Sequence, residues 1–526
     1  MPPPQQLPVS PRFSTSTPEE YIDSLLAFWT TSPLLQTLCG GIHILDFFTR
    51  DSESTDGPKD IYHTVFPADW ISWFAAQSLD TVLDLFLRTP IDEFTTDVPE
   101  TLKTYIREVR EHMLQRGFVR REKSEQTIRA IGRGTERALN AGMKPKKIHE
   151  VENFAAYLDD LVRDVETDTD AGEYAISHVI DYGSGQAYLS RTVAKKYGHN
   201  VVGIESRTVN IDGAKSLDTL YDRIVQRKLK KQAHECADGE CVDDHKVGSL
   251  QYVQTFISDG NIDVVVDAIP DIPGDSGSST PKSLLLTSLH SCGNLVHHAL
   301  SAFRNTPSVR AVALIGCCYN LLTEKRGASF KPPYLRNPHP RLVATATAGD
   351  PQGFPVSATL TERDTKLNIT ARSMACQAPA NWTAATCADF FERHFYRALL
   401  QRIFIDRGLI DPLSTENEPI VIGSLKKGSF DSFPAYIAAA VKKLGWEDRI
   451  TVTEEEATEY MRKFEHRKKE LSVVWSLMAY SAGICESIIV ADRWLFLREM
   501  GCKQAWVEAA FDHAESPRNF VIVGIR

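Results

Sequence analysis

Two acidic residues flank a glycine-rich turn in the middle of the chain, with the spacing of a nucleotide-binding unit. Asp181 lies at the end of a short apolar run and is followed by Gly183-Ser184-Gly185. Glu205 ends the next apolar run, 20 residues after Gly185. Glycines permit a tight turn and let a ligand approach the backbone at the N-terminus of a helix. A carboxylate at the position of Glu205 can accept hydrogen bonds from both ribose hydroxyls, so the unit predicts a cofactor that contains a ribose.

The acid inside this turn favours S-adenosylmethionine over a dinucleotide. Asp181 suits a cationic ligand and would repel a pyrophosphate. Tyr188 stands where the dinucleotide motif has its third glycine, so the close helix–strand contact of that motif is not expected. The residues predicted to contact S-adenosylmethionine are Asp181, Gly183, Ser184, Gly185, Tyr188, Glu205 and Asp259. A turn without a ligand and an NAD-dependent oxidoreductase stay as alternatives.

Two clusters of reactive side chains follow later apolar runs that are predicted to be neighbouring strands. His290 and Cys292 follow the fourth run, and Cys317-Cys318-Tyr319 follows the fifth. Ligands bind outside the carboxyl ends of strands in open α/β sheets, so both clusters should face one cleft. We predict His290 as a general base because histidine titrates near neutral pH. Tyr319 is predicted to orient a planar acceptor, and Cys317 and Cys318 complete the predicted catalytic set.

Other roles for these side chains stay open. His290 can be a structural histidine, and free cysteines are often small buried residues. A metal site is a further alternative, formed by His290, Cys292, Cys317 and Cys318. Their spacing is not a known zinc pattern, so no metal is predicted. A second group in a polar insert is expected to be a solvated loop, because zinc-finger spacings differ from that of His234, Cys236, Cys241 and His245.

The elements around these residues alternate between short apolar runs and helical patterns, which is typical of a parallel, doubly wound sheet. The predicted strands are 178–182, 200–204, about 251–257, 283–289 and 311–316. The last 25 residues carry two more apolar runs around a turn at Ser516-Pro517, which predicts a hairpin. Five parallel strands completed by such a hairpin predict an α/β fold with the class I, Rossmann-like, seven-strand methyltransferase sheet.

The rest of the chain is predicted to surround this sheet with helices. Residues 1–17 are rich in Pro and Ser and are expected to be disordered. The predicted domains are an N-terminal helical domain at 18–150, the methyltransferase core at 151–320, a large, mostly helical insertion at 321–500 and the final strands at 501–526. A long helix is expected from Lys463 to Glu499. Within it, Leu471 to Val490 is interrupted by polar residues, which favours a buried helix over a membrane span.

Short motifs along the chain resemble those of a known family. They are His43 to Phe48, Met143 to Lys147, His149-Glu150-Val151, the glycine turn, Leu289 to Leu295, Gly316 to Tyr319, Thr323-Glu324, Phe354 to Ser357, Ala375-Cys376-Gln377 and Ser516 to Asn519. With these motifs the chain resembles the methyltransferase-like protein 25 family, a group of eukaryotic Rossmann-type methyltransferases. The resemblance implies a methyltransferase fold and leaves the acceptor undefined.

The chain departs from that family at three positions near the cofactor motif. The glycine turn of the family usually reads closer to GSGKG, whereas this chain has Gln186 and Ala187. The acid after the second strand is commonly Asp, and here it is Glu205. The turn and the carboxylate that the cofactor needs are kept, and the changes are expected to affect the affinity for the cofactor.

Charge and composition bear on the partners. The net charge of -10 argues against indiscriminate binding to nucleic acid or acidic membranes, and we predict no DNA and no membrane partner. Residues 120–147 are an exception, with nine Lys or Arg against three Glu. They form either the solvated face of a helix or an RNA contact, with Arg129, Arg133 and Arg137 four residues apart. We predict an RNA or protein acceptor, and the alternative is a non-catalytic, S-adenosylmethionine-binding or scaffold module in an assembly.

The location of the protein is inferred from its cysteines and its N-terminus. Ten cysteines without the spacing of a small disulfide scaffold fit reduced thiols. The first residues, MPPPQQLPVSPRF, have no apolar signal segment and are not rich in Arg. Both features predict a cytoplasmic or nuclear protein.

Overall fold

A single mixed sheet organises the part of the chain that can be described. The computed structural model describes residues 6–40, 42, 61–118, 133–167, 175–235, 247–270, 272–273, 279–325, 349–411 and 420–526. The strands of the sheet are β1 (His178–Tyr182), β2 (Val201–Glu205), β3 (Leu250–Gln254), β4 (Leu284–Ser291), β5 (Val309–Gly316), β6 (Gln504–Ala509) and β7 (Phe520–Ile525). A separate two-stranded ribbon pairs Ile272–Pro273 with Ser279–Thr280.

The order of the strands is β3-β2-β1-β4-β5-β7-β6. The strands β1 to β5 pair in parallel, whereas β7 is antiparallel to both β5 and β6. The order reverses between β1 and β4, which is where open α/β sheets bind ligands. The predicted class I, Rossmann-like sheet completed by a C-terminal hairpin is confirmed. β3 is shorter than predicted, because Thr255 to Ile257 leave the sheet.

Helices flank the sheet on both faces. Those before and within the parallel part are α1 (Pro18–Thr31), α2 (Pro33–Gly40), α3 (Ile61–Val65), α4 (Ala68–Ala76), α5 (Leu79–Leu87), α6 (Glu100–His112), α7 (Arg133–Leu139), α8 (Pro145–Thr167), α9 (Tyr188–Tyr197), α10 (Thr208–Glu235), α11 (Asp263–Ala268) and α12 (Leu295–Asn305). Those between β5 and β6 are α13 (Ala358–Glu362), α14 (Ile369–Met374), α15 (Ala384–Asp406), α16 (Phe433–Leu444), α17 (Glu454–Phe464), α18 (Lys468–Ser481) and α19 (Gly483–Glu499).

The two faces of the sheet bury different helices because strand side chains alternate. Val179 and Leu285 are buried on the face that packs against α8 and α9. Ile180 and Leu286 are buried on the opposite face, which packs against α12 and α19. The predicted domain boundary at residue 150 therefore falls inside α8, a helix that covers the sheet.

The N-terminal helices pack against the helices of the insertion. α5 and α2 contact α18, and α1 and α6 contact α19. The hydroxyl of Tyr105 in α6 lies 2.7 Å from Oγ of Ser481, and the hydroxyl of Tyr480 donates to the carbonyl of Ile106 at 2.8 Å. Since one hydrophobic cluster runs through both regions, the predicted 18–150 and 321–500 regions form one helical layer.

Residues 6–17 are ordered, in contrast to the expectation from composition. The side chains of Leu7 and Phe13 are buried. The carbonyl of Gln6 accepts from the backbone of Val507 in β6 at 3.0 Å, and that of Pro8 accepts from Gln115 at 2.6 Å. The segment is held because Gln6 joins the edge strand of the sheet and the ring of Phe13 packs against Tyr21 and His112.

The apolar stretch near the C-terminus forms a core helix pair. The predicted helix from Lys463 to Glu499 is divided, since α18 and α19 are separate helices on either side of Ala482. Glu454–Glu499 contains a window apolar enough to cross a membrane, and 89% of that window is buried inside the fold. Such burial is typical of a core helix, and it agrees with the prediction that Leu471 to Val490 is buried inside the protein.

Candidate active site

A cleft opens at the carboxyl ends of β1 to β4, where the strand order reverses. Its volume is about 1080 Å³, including the open mouth. Tyr182 and Gly183 follow β1, Glu205 ends β2, and Phe256 follows β3. His290 and Cys292 line the side formed by β4 and the residues after it. The cleft therefore collects residues from four strand ends, as ligand sites in open α/β sheets do.

The glycine turn has the backbone conformation that its sequence predicts. Gly183 and Gly185 have φ angles of +79° and +57°. A Cβ atom at Gly183 would lie 2.9 Å from Cδ2 of Leu295, so a side chain does not fit there. Ala187 also adopts the left-handed conformation, with φ at +56°, which costs a residue with a Cβ roughly 1–2 kcal/mol. This is the position where the resembling family usually has glycine.

Asp181 lies beneath the turn and outside the lining of the cleft. Its side chain is 3% exposed and accepts a hydrogen bond from Oγ of Ser190 in α9 at 2.5 Å. Burial raises the pKa of Asp181 to about 6, against the opposing effect of Ser190 and Lys147. The carboxylate ties β1 to the first turns of α9 and thereby holds the glycine turn in place.

Glu205 and Asp259 follow neighbouring strands at the cleft. Glu205 lines the cleft, and its Oε1 atom accepts from the backbone of Arg207 at 2.8 Å. Asp259 accepts from the backbone of Asn261 at 2.9 Å and acts electrostatically on Tyr182 and His298, two residues of the cleft wall. Glu205 is thus placed to contact a ligand directly, whereas Asp259 is exposed and lies outside the lining of the cleft.

Tyr188 and Ser184 lie at the turn but outside the lining of the cleft. The hydroxyl of Tyr188 lies 3.2 Å from the carbonyl oxygen of Gly142 and 2.9 Å from Oε1 of Gln186. Tyr188 therefore fastens the turn to the loop before α8. The backbone N–H of Ser184 donates to the carbonyl of Ile204 at 2.8 Å, which joins the turn to β2.

Among the cleft residues that were not predicted from the sequence are Phe256, Tyr182 and His298. Phe256 is 79% exposed although it is a large apolar side chain, and it lies two residues after the end of β3. The hydroxyl of Tyr182 and Nδ1 of His298 are buried and have no hydrogen-bond partner among the described residues. Buried polar atoms are normally paired, and these two lie behind the cleft wall without exposed surface. The sequence signal for Phe256 was an aromatic residue close to the end of the predicted strand 251–257.

His290 is paired with a carboxylate from the far side of the glycine turn. Its Nε2 atom donates to Oε2 of Glu150 in α8 at 2.7 Å. The pairing of β4 with β5 shifts register between Leu289 and Ser291, and His290 has a φ of +69° at this bulge. A bulge re-aims a side chain, and here it places the imidazole between the cleft and α8.

Glu150, the partner of His290, is a candidate site residue that the sequence reasoning missed. Its side chain is 1% exposed and also accepts from Oγ of Ser516 at 2.7 Å, with Nζ of Lys147 at 3.1 Å. Burial alone raises the pKa of this carboxyl, but His290, Ser516 and Lys147 together lower it to about 2. Glu150 is therefore ionised at neutral pH, and its place in the His149-Glu150-Val151 motif was the available signal.

Cys292, Cys317 and Cys318 meet beside His290. Their sulfur atoms are separated by 3.4 Å for Cys292 and Cys317, 3.3 Å for Cys292 and Cys318, and 3.4 Å for Cys317 and Cys318. Hydrogen bonding by Cys317 and Cys318 lowers the pKa of Cys292 to about 6. The contact with Cys292 raises the pKa of Cys317. Cys292 is exposed and lines the cleft, whereas Cys317 and Cys318 are half-buried behind it.

Tyr319 does not reach the cleft, in contrast to the predicted role in orienting an acceptor. It is 2% exposed, and its hydroxyl donates to Oε1 of Glu486 in α19 at 3.0 Å. Glu486 is also paired with Arg116 and with Nη1 of Arg518, the latter at 2.7 Å. Three elements far apart in sequence therefore meet at one buried carboxylate, and Tyr319 belongs to this structural network.

Two predicted features lie wholly or partly outside the described residues. The side chains of His234, Cys236, Cys241 and His245 are among those not described. The same holds for Arg129 and Arg133 of the basic segment. The described end of that segment, with Lys146 and Lys147 in α8, adjoins Glu150 and so lies next to His290.

Comparison with known proteins identifies the unit that forms this cleft. Residues 146–325 match the family model of a methyltransferase domain. Over this range the chain is similar to methyltransferase domains. The match begins in α8 and ends after β5, so it includes Glu150, the glycine turn and the cysteine cluster.

Similarity to whole proteins extends beyond this domain. The chain is 25% identical over 479 residues to the "Probable methyltransferase-like protein 25" of Mus musculus, which covers 73% of this chain and 75% of the relative. It is 24% identical over 482 residues to the Homo sapiens protein of the same name, with the same coverage. The resemblance drawn from the motifs is confirmed, and the domain and relatives support a methyltransferase.

Proposed function

We propose that this methyltransferase uses S-adenosylmethionine and transfers its methyl group to RNA or protein. The observation that carries the proposal is the cleft at the reversal point of the strand order. It joins the glycine turn, the carboxylate of Glu205 and the exposed ring of Phe256. When bound, S-adenosylmethionine supplies an electrophilic methyl group that an acceptor atom attacks in line.

The residues of the cleft fit this cofactor. Glu205 is placed to accept from ribose hydroxyls, and the flat ring of Phe256 offers a stacking surface for a base. Asp181 contributes indirectly, because it holds the turn against α9.

The pair of Glu150 and His290 supplies the base for the reaction. The ionised Glu150 accepts a hydrogen bond from Nε2, which fixes the tautomer that carries its proton there. Nδ1 is then the ring nitrogen that accepts a proton from the acceptor as the methyl group is transferred. The resulting imidazolium is stabilised by the adjacent carboxylate, since opposite charges in a poorly solvated site attract strongly.

Positively charged side chains beside Glu150 and His290 indicate which class of acceptor the site suits. Lys146 and Lys147 end the basic segment 120–147 and stand within 3.9 Å and 3.1 Å of Glu150. Cations beside the base suit an acceptor that carries phosphate groups, which favours RNA. A protein acceptor with acidic side chains is attracted by the same charges.

Cofactor binding is tested by calorimetry with S-adenosylmethionine. We expect Glu205→Gln to weaken the affinity at least about tenfold, because two hydrogen bonds to an ionised carboxylate are lost. The exposed Glu362 in α13 provides a matched control, and Glu362→Gln should bind as the native chain does. No detectable heat of binding with the native chain would refute the proposal that it binds S-adenosylmethionine.

Methyl transfer is tested with S-adenosylmethionine carrying a tritiated methyl group and with cell extract as the source of acceptors. We expect label in macromolecules, and its sensitivity to RNase or to protease then identifies the class of acceptor. His290→Asn should abolish the label, and Asn is chosen because it tolerates the positive φ of this position. Cofactor binding without labelled product in any fraction would instead indicate the non-catalytic module.

A further inference from the structure

The three cysteines beside the cleft form a cluster that the proposed methyl transfer does not require. Among the described residues, Cys292, Cys317 and Cys318 are the group of His, Cys, Asp or Glu side chains whose ligand atoms all lie within 4.8 Å of one another. The sequence offers no zinc spacing here, since the cysteines come from two loops. The fold brings them together because β4 and β5 are adjacent and parallel.

We propose that Cys292, Cys317 and Cys318 bind a zinc ion through three thiolates, with the fourth coordination position open towards the cleft. Zinc is held by Cys sulfur at about 2.3 Å in tetrahedral geometry, which separates the sulfur atoms by about 3.8 Å. The observed separations of 3.3 to 3.4 Å need to widen by only a few tenths of an ångström. Side-chain rotation alone accommodates such a change.

The backbone holds the two loops in the arrangement that the ion needs. The N–H of Gly293 donates to the carbonyl of Cys318 at 3.2 Å, and the N–H of Cys317 donates to the carbonyl of Ser291 at 3.2 Å. Gly293 has a φ of +56°, and a Cβ atom there would lie 2.7 Å from the carbonyl oxygen of Leu321. These contacts fix the two loops against each other, so the sulfur triangle is pre-organised.

The chemistry of the ligands selects the metal. Thiolates favour zinc and other soft or borderline cations, whereas magnesium and calcium require oxygen ligands. The alternative to zinc binding is a disulfide between two of the three cysteines, which would leave the third as a free thiol. The three sulfur–sulfur distances are nearly equal, which is expected for three thiolates around one cation. A disulfide would instead bring two sulfur atoms close together and leave the third one apart.

The fourth position is assigned from the neighbours of the cluster. Nε2 of His290 is bonded to Glu150, which removes this nitrogen from the set of ligands. Sγ of Cys376 donates to Oδ1 of Asn320 at 3.4 Å and is not part of the triangle. Cys292 faces the cleft, so the open position would take water or a lone pair of the acceptor. The contact with an acceptor rests on the proposed function, whereas the binding of zinc does not.

The test uses the full chain, purified under reducing conditions without cofactor or acceptor. We expect one zinc per chain by elemental analysis, and replacement with Co²⁺ should give a thiolate-to-metal charge-transfer band. Cys317→Ser should weaken zinc affinity by at least about 100-fold, since one of three protein ligands is lost. Cys292→Ser should do the same, while Cys502→Ser, at a cysteine outside the cluster, should leave zinc content unchanged.

Other results would overturn the proposal. Absence of zinc and of the charge-transfer band in reduced chain, or retention of both in Cys317→Ser, refutes the three-thiolate site. A disulfide found by mass mapping of the reduced and metal-loaded chain also refutes it. Loss of zinc in Cys376→Ser would indicate four thiolates and so a closed site. Calorimetry with S-adenosylmethionine on the same samples separates failure of zinc binding from failure of the proposed function.

Discussion

The carboxylate of Glu150 lies 2.7 Å from Nε2 of His290, although 140 positions separate the two residues. Glu150 is carried by α8 on one face of the sheet, and His290 projects from a bulge at the end of β4. A buried, ionised carboxylate that fixes the tautomer of an imidazole at a cleft is a common arrangement for a general base. This pair connects the helix before the glycine turn with the chemistry at the strand ends.

Glu150→Gln tests whether the carboxylate positions and charges this histidine. We expect the rate of methyl transfer to fall roughly 10²- to 10³-fold, because general-base catalysis contributes on that order. The affinity for S-adenosylmethionine should stay within about twofold, since Glu150 is not part of the cofactor wall. The pH profile of the rate is measured alongside, because the substitution removes the carboxyl whose pKa is lowered to about 2.

The matched control for this change is Glu152→Gln on the same helix. Glu152 lies outside the lining of the cleft and should leave rate and pH profile unchanged. A Glu150→Gln variant that remains folded, with native rate and pH profile, would show that the pair is purely structural.

The buried Asp181 predicts a dependence of stability on pH. Its pKa is raised from 3.8 to about 6 by burial, so the folded chain holds this proton more tightly than the unfolded chain does. The stability that it contributes is full below pH 3.8 and is lost as pH rises through about 6. Asp181→Asn removes this loss. Its free energy of unfolding relative to that of the native chain should therefore rise by about 2–3 kcal/mol from pH 4 to pH 7.

Urea unfolding at pH 4, 5, 6 and 7 measures this gain. Asp160→Asn, on the more exposed side of α8, serves as the control for the loss of a carboxylate. A difference in the free energy of unfolding for Asp181→Asn that does not change from pH 4 to pH 7 would mean that burial does not raise the pKa of this carboxyl.

Phe256→Ala tests the ring beside Glu205. Stacking of a base on an aromatic side chain contributes about 1–3 kcal/mol, so we expect S-adenosylmethionine to bind at least about fivefold more weakly. The ring is 79% exposed, and its removal should leave the melting temperature unchanged. Val421→Ala, at another exposed apolar side chain, is the control. Unchanged affinity in calorimetry would exclude stacking at this position.

Tyr319→Phe separates a structural role from the catalytic role predicted by the sequence. Loss of the hydrogen bond to the buried Glu486 should reduce the free energy of unfolding by about 1–2 kcal/mol. The rate of methyl transfer should change less than about threefold, because the ring does not reach the cleft. A rate loss above tenfold with native stability would restore the catalytic role of Tyr319.

The fold could be predicted because its signals are local. Apolar runs of strand length, the glycine turn and the terminal hairpin each depend on neighbouring residues. Gly183 and Gly185 have the positive φ angles that the motif requires, and Glu205 ends β2 at the cleft. The order of residues 6–17 could not be predicted, because it depends on contacts with β6 and with the loop after α6 that lie far away in sequence.

The sequence by itself determined the parallel sheet, its completion by the C-terminal hairpin and the strand ends where reactive side chains collect. Those features follow from periodicity and from the rule that parallel strands present their carboxyl ends at one edge. Only the tertiary structure decided which side chains face the cleft. It turned Tyr319 towards Glu486, placed Asp181 under the glycine turn and brought Glu150 to His290. The direction of a side chain depends on bulges and on packing between distant elements, and neither is encoded in the local spacing of residues.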